Sequence, residues 1–228
     1  MKSFKEKVKN LVNNSQVFEK LEHYVFLIEQ ENQKINLTGF SGDTLWKEGI
    51  YESLIFMNSN SFSMNEKEKL EFLDIGAGAG FPSLPFLIWK NNFNLTIYEP
   101  IQKRVNFLNL VKKEINLNFK VKKIRAENSK QHEYFDFITA RAVSSLKNLI
   151  EISHFLGKEN CLFSFLKGPK IHEEIEQSKD IFKKLKIEKF SLFKIESKFE
   201  KTNYNFNFIK EAKTPLEYPR KWEKIVKS

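Results

Sequence analysis

The sequence predicts an α/β protein: a doubly wound, mostly parallel sheet with an antiparallel C-terminal strand and an N-terminal helical extension. Three observations predict it. Apolar runs of strand length alternate with helical stretches between residues 70 and 185, the pattern of β and α units laid on a parallel sheet. The first run ends in an acid and three alternating glycines, Phe72–Pro85 reading FLDIGAGAGFPSLP. The last two runs, Phe190–Ile195 and Asn203–Ile209, are joined too briefly for a parallel crossover and should pair antiparallel.

The elements follow in order. The first 35 residues read as helical, with Leu21, Tyr24, Val25 and Ile28 forming a buried stripe at helical spacing. Asn36-Leu37-Thr38-Gly39 breaks this pattern. Thr44–Asn58 reads as a second helix with Leu45, Ile50, Leu54 and Met57 inward, and the Asn- and Ser-rich stretch Asn58–Asn65 as a loop. Leu70–Asp74 is the first strand, and Leu84–Trp89 begins the helix after the glycine turn. Leu95–Glu99 is strand two, Gln102–Ile115 a helix, Phe119–Ile124 strand three and Phe135–Ala140 strand four. Ser145–Phe155 is a helix, Cys161–Leu166 strand five and Ile171–Leu185 a helix with charges outward. Three portions result: a helical one over 1–65, the α/β domain over 66–210, and a basic tail over 211–228, in one compact domain.

Composition narrows the class. The chain has 228 residues, 41% hydrophobic, with 23 phenylalanines, enough for a sizeable core. The single cysteine, Cys161, excludes an intramolecular disulfide and fits a reducing compartment. No apolar run approaches the ~20 residues of a membrane span, and MKSFKEKVKN has no apolar signal core. A cytoplasmic protein is the simple inference. The net charge of +9 suits a polyanionic partner such as nucleic acid; an AT-rich genome would also yield many solvated lysines. Only four basic residues are arginine, Arg104, Arg125, Arg141 and Arg220. In a chain that prefers lysine, each marks a place where the planar fork matters.

The glycine turn carries the first chemical signal. A phosphate-binding P-loop needs a Gly-Lys-Ser/Thr ending, which is missing. A dinucleotide fingerprint is G-x-G-x-x-G, and the third glycine here falls one residue early. Asp74 would repel pyrophosphate and attract a cation. S-adenosylmethionine carries a sulfonium and an ammonium, so D-x-G-x-G-x-G suits it; a glycine turn without a ligand is the alternative. Glu99 closes strand two, 23 residues after Gly76, where an acid can accept both hydroxyls of a ribose. Ala126-Glu127 follows strand three, where an adenine edge would lie. Arg141 follows strand four and could bind the cofactor carboxylate or a substrate phosphate, or form an ion pair with Asp136 or Asp74. The fold expected is thus Rossmann-like and S-adenosylmethionine-dependent.

Absences separate the methyl acceptors. Thr139-Ala140-Arg141-Ala142 replaces the Asn/Asp-Pro-Pro-aromatic run of adenine-N6 methylation. Cys161 sits within a strand, unsuited to cytosine-C5 chemistry. The four histidines have no paired ligand spacing, so no zinc site is predicted. An intrinsically nucleophilic acceptor such as guanine N7 remains. It needs no general base, only alignment of sulfonium and lone pair.

NQKINLTG, LDIGAGAGFPSLP, YEPIQKRVNFL, TARAVSSL and FLKG occur in this order, with an echo in KTPLEYPR. Together they resemble the RsmG family, also called glucose-inhibited division protein B, of 16S rRNA guanine-N7 methyltransferases. The resemblance spans roughly residues 20–170. It implies S-adenosylmethionine as cofactor and a guanine in the 530-type loop of 16S rRNA as acceptor, in the small ribosomal subunit. A monomer is expected, with no metal and no membrane among its partners. Cofactor contacts would fall on Asp74, Gly76, Gly78, Phe81, Glu99, Pro100, Ile101, Ala126, Glu127 and Arg141, with Arg141 also catalytic. Phe81 would pack on the ligand and open the helix with its backbone. Asn36, Leu37 and Thr38 match a family stretch beside the pocket. Asn36, Lys103, Arg104 and Lys167 would meet RNA, Lys167 with Gly168 after strand five. The chain departs from the family at Ser83-Leu84, where Gly-Ile is usual, and at Tyr204–Lys210, where the family has a VVIK-like strand. A small-molecule methyltransferase and a non-enzymatic RNA-binding assembly factor stand as the other readings.

Overall fold

The structure is a computed structural model, which describes residues 2–60, 69–195 and 202–227. Among the described residues seven strands form one sheet: β1 (Glu71–Ile75), β2 (Asn94–Tyr98), β3 (Lys120–Lys122), β4 (Phe135–Arg141), β5 (Gly157–Lys167), β6 (Ser191–Lys194) and β7 (Tyr204–Ile209). Their order is β3-β2-β1-β4-β5-β7-β6. The predicted doubly wound sheet is observed, with β7 the one antiparallel strand, paired to both β5 and β6. Two compact units divide the chain: Met1–Lys69 with Gly76–Lys123, and Leu70–Ile75 with Ile124–Ser228.

The first unit begins with helices α1 (Phe4–Val12) and α2 (Ser15–Asn32). Ser3 caps α1 through a full capping box with Glu6, and the Asn14 side chain caps α2, each meeting an N–H that a helix start leaves bare. Leu21, Tyr24, Val25 and Ile28 are buried. The second predicted helix is more varied than its apolar spacing suggested. A short turn, α3 (Gly42–Thr44), leads into a π-helix over Leu45–Tyr51 and then α4 (Glu52–Asn58). Gly49 lies in the π segment, pressed so close to Phe81 and Leu45 that an added Cβ would stand 2.8 Å from each. Widened turns of this kind occur where a helix makes room for something beside it. The predicted loop 58–65 lies mostly outside the described residues.

The remainder of this unit is α5 (Ser83–Trp89), α6 (Gln102–Glu114) and the parallel pair β2–β3. Strand three is shorter than predicted. Lys120 and Lys122 are exposed at the sheet edge, and short, lysine-bearing edge strands resist pairing with other chains.

The second unit holds the other five strands. β1 and β4 run parallel, with Asp74 opposite Thr139, and β4 and β5 run parallel, with Arg141 opposite Leu166. Between β1 and β4 the strand order reverses, which makes this the topological switch point where α/β proteins bind ligands. Helix α7 (Leu146–Ser153) starts at the capping Ser145 and ends in a tight turn, His154–Leu156. The predicted helix Ile171–Leu185 is broken into α8 (Ile171–Gln177) and α9 (Lys179–Leu185). Ser178 separates them, its hydroxyl donating back to the Glu174 carbonyl at 2.6 Å, a bond that bends helices.

Phenylalanines fill this core. Phe163, Phe165, Phe206 and Phe208 are buried side by side, and His154 stacks on Phe163 and Phe208. The tail is tied down at two points near the short helix α10 (Trp222–Ile225). Arg220 forks onto the fully buried Glu151 of α7 at 2.6 and 2.7 Å, and Arg125 lies over the Trp222 ring at 5.6 Å. Among the described residues no helix is long and apolar enough to cross a membrane.

Candidate functional site

In the first unit the glycine turn is built around backbone groups. Gly76 N–H donates to the Tyr98 carbonyl at 2.7 Å, and the Gly80 and Phe81 N–H groups donate to Ala77 at 2.8 and 3.0 Å. Gly78 has φ +59°, and a Cβ there would find nothing nearer than the Leu37 carbonyl at 4.0 Å. The space above it is open for a ligand to approach the bare backbone. Gly80 has φ +106°, and a Cβ there would strike Leu84 and the Tyr24 hydroxyl. That turn is thus fixed from behind: Tyr24 donates its hydroxyl to the Ala79 carbonyl at 2.5 Å.

Glu99 stands at the end of β2, only 1% exposed. Its Oε2 accepts the Gly78 N–H at 3.1 Å and its Oε1 the Ile101 N–H at 3.0 Å. Each oxygen keeps a lone pair, so the carboxylate can still accept two further donors. Arg104 reaches Oε2 at 4.0 Å. Pro100 is exposed, and Ile101 is unusually so for an isoleucine, an apolar surface next to a polar anchor.

Phe81 is placed differently from the expectation. Its ring is buried against Tyr24, Phe40 and Gly49, among the N-terminal helices, and α5 starts one residue beyond Pro82. Its contribution is to anchor the turn. Asn36 and Lys103 are exposed. The Asn36 loop is shaped by Asn32, whose Oδ1 accepts the Leu37 and Thr38 N–H groups at 2.9 and 3.1 Å and whose Nδ2 donates to the Thr38 carbonyl at 2.8 Å.

In the second unit Asp74 is fully buried at the end of β1. Ala126 is buried in the turn Ala126–Asn128, and Glu127 Oε1 is buried with no hydrogen-bond partner among the described residues. An acceptor so placed suits an amino group brought by a ligand. Arg141 is half-buried at the end of β4. Asp136, one of the two ion-pair partners considered for it, lies five residues back on the same strand. That is about 16 Å, on the opposite face, and Asp136 instead pairs with Lys158 at 2.8 Å.

Lys167 corrects the expectation of an RNA contact. It is only 8% exposed, its ammonium 2.6 Å from Glu174 Oε2 and 2.8 Å from the Ser144 carbonyl. A cation so enclosed offers nothing to a phosphate. Cys161 is buried, and burial pushes its thiol well above the usual range, consistent with a packing role.

From sequence Tyr24 reads as one member of the buried stripe, and Asn32 carries no signal of its own. The available signal was a phenol in an aliphatic face, since a buried hydroxyl must find a partner.

The chain is similar to known proteins over most of its length. The family model "GidB: rRNA small subunit methyltransferase G" matches residues 17–205. A "Ribosomal RNA small subunit methyltransferase G" from Mycoplasmopsis pulmonis is 44% identical over 215 residues, 91% of each chain. Another of that name, from Mycoplasma mobile, is 44% identical over 200 residues, covering 87% of this chain and 88% of its own. Among solved structures, M. jannaschii TYW2 in complex with AdoMet superposes with a TM-score of 0.54 at 16% identity, over 72% of this chain and 76% of that one, a likeness of fold. With a family match across most of its length and relatives this similar, the chain belongs to the GidB family, that of rRNA small subunit methyltransferase G.

Proposed function

We propose that the protein transfers a methyl group from S-adenosylmethionine to N7 of a guanine in the 530-type loop of 16S rRNA, acting as a cytoplasmic monomer on the small ribosomal subunit. The observation that carries the reading is Glu99: a buried carboxylate fixed by the Gly78 and Ile101 N–H groups, beside open space over Gly78. These residues fit an adenosyl ligand. Glu99 would accept the ribose hydroxyls, Ile101 would lie along the base, and the Glu127 carboxylate would accept from the adenine amino group. Asp74 would favour the ligand's cationic end.

When bound, the cofactor supplies an electrophilic methyl group on a sulfonium. The chain's own task is alignment and exclusion of water. Guanine N7 has a free lone pair in the neutral base, so no side chain need remove a proton first. Arg141, a planar donor, is suited to orient the guanine or its phosphate, and bringing two reactants into line can supply most of such an acceleration. A net charge of +9 would draw RNA to the surface, with Lys103 and the tail on the docking face.

The test is to map N7-methylguanine in 16S rRNA by aniline-induced cleavage. A deletion strain should lose one cleavage in the 530-type loop, and the wild-type gene should restore it while Arg141→Ala does not. An unchanged cleavage pattern in the deletion strain would overturn the proposal.

A further inference from the structure

We infer that Lys167 and Glu174 are positioning residues that hold the loop bearing Arg141 in its working shape. Between the end of β4 at Arg141 and the start of α7 at Leu146 there are only four residues. The Lys167 ammonium, at the end of β5, donates to the Ser144 carbonyl at 2.8 Å and meets Glu174 Oε2 at 2.6 Å. The same Oε2 accepts the Leu146 N–H at 2.6 Å. One ammonium and one carboxylate therefore grip the loop on either side of Ser145. Asn148 adds a bond from its side chain to the Ser144 hydroxyl at 3.2 Å.

The loop needs such a grip. Ala142, the residue after Arg141, has φ +54°. An alanine in the left-handed region is strained, with no side-chain hydrogen bond to offset it. Strain of this kind persists only where the surroundings over-determine the backbone. Lys167 is 8% and Glu174 21% exposed, so water could replace the lost partner only in part for Glu174 and hardly at all for Lys167. The pair is thus committed to the one loop conformation in which the Ser144 carbonyl and the Leu146 N–H both face it. Neither residue touches the reacting atoms; both act through Arg141.

The inference rests on the reading of Arg141 as the substrate-facing residue, and the experiment separates the two. Lys167→Met, Glu174→Gln and Arg141→Ala are made singly, and each of the first two is combined with the third. Turnover on small subunits, S-adenosylmethionine affinity by calorimetry and thermal unfolding are measured for each. Lys167→Met and Glu174→Gln should lower kcat about ten- to a hundredfold, the scale of a misplaced group, with cofactor Kd within about twofold of wild type. In the Arg141→Ala background neither should lower kcat further. The salt slope of rRNA binding should stay the same in Lys167→Met, whereas loss of a phosphate contact would reduce it by about one. Wild-type kcat in both folded single variants would overturn the inference, as would an undiminished loss in the Arg141→Ala background. Wild-type turnover in Arg141→Ala alone would remove the reading of Arg141, and the inference with it. Glu174→Gln keeps an acceptor for Leu146, so it carries the test if Lys167→Met does not fold.

Discussion

Glu99→Gln is the sharpest test of the anchor, because it keeps the side chain's size and changes only its hydrogen bonding. The carboxylate accepts two backbone N–H groups, one on each oxygen, and is 1% exposed. Glutamine has one carbonyl oxygen. Its amide nitrogen must face either Gly78 or Ile101, donor against donor. One hydrogen bond to a charged group, about 1.5–3 kcal/mol, is lost. For a domain of this size that lowers Tm by roughly 3–12 °C. A bound ribose loses its charged acceptor: one hydroxyl then donates to a neutral carbonyl and the other must turn to accept from the amide, so cofactor Kd should rise about ten- to a hundredfold. Thermal unfolding without ligand reads the first effect and calorimetry with S-adenosylmethionine the second. Affinity within twofold of wild type in a folded variant would refute the ribose assignment. An unchanged Tm with weakened affinity would refute the claim that the carboxylate ties the glycine turn to α6.

Three further outcomes are expected. Gly80→Ala forces a left-handed alanine against Leu84 and the Tyr24 hydroxyl and should cost about 2–3 kcal/mol in urea unfolding; a loss below 0.5 kcal/mol on the same ~2–3 kcal/mol scale would mean the turn relaxes freely. Arg220→Met removes the guanidinium from buried Glu151 and leaves it the residue 220 backbone N–H; it should cost about 3 kcal/mol, read from the urea midpoint, and no shift would make the tail contact superficial. His154, which packs on Phe163 and Phe208 and is bonded through Nδ1 to the Thr214 hydroxyl at 2.7 Å, has its pKa lowered to about 3 by burial and by Lys210. The unfolded chain takes up that proton near pH 6.5 and the folded one does not. The stability contributed is therefore complete above about pH 6.5 and is lost as pH falls toward 3, by up to about 2 kcal/mol between pH 6.5 and 5. His154→Phe should remove this slope, and identical slopes in the two proteins would sink the assignment.

The sheet was legible because buried strands write themselves as short apolar runs and crossover helices as longer periodic ones. Even the reversed β7 could be read, from a connection too short to cross over. What stayed hidden depends on partners distant in sequence. Tyr24 meets Ala79, 55 residues away. Lys167 resembles any other surface lysine until Glu174 and Ser144 enclose it. Apolar spacing over a segment as short as Leu45–Tyr51 does not distinguish a π-helix from an α-helix. Ser178 breaks a helix through a side-chain bond that periodicity does not register. The family resemblance implies Phe81 on the ligand; its ring packs instead against Tyr24, Phe40 and Gly49. Of the sparse arginines, Arg220 bears out the premise that a retained guanidinium marks a need for its fork, since it grips Glu151 through two nitrogens.

The π-helix has a consequence for how this protein can vary. A helix with an extra residue per turn is out of step with the α-helix that follows, and here the offset brings Gly49 against the Phe81 ring. Removing one residue between Leu45 and Tyr51 would let the segment relax into ordinary α geometry, a local gain. It would also rotate Gly49 out of its seat and withdraw the support behind the glycine turn. Length in this stretch therefore acts as a calibration. Insertions and deletions between Tyr24 and Tyr51 are expected to be damaging, with injury appearing first as weakened ligand binding rather than as unfolding.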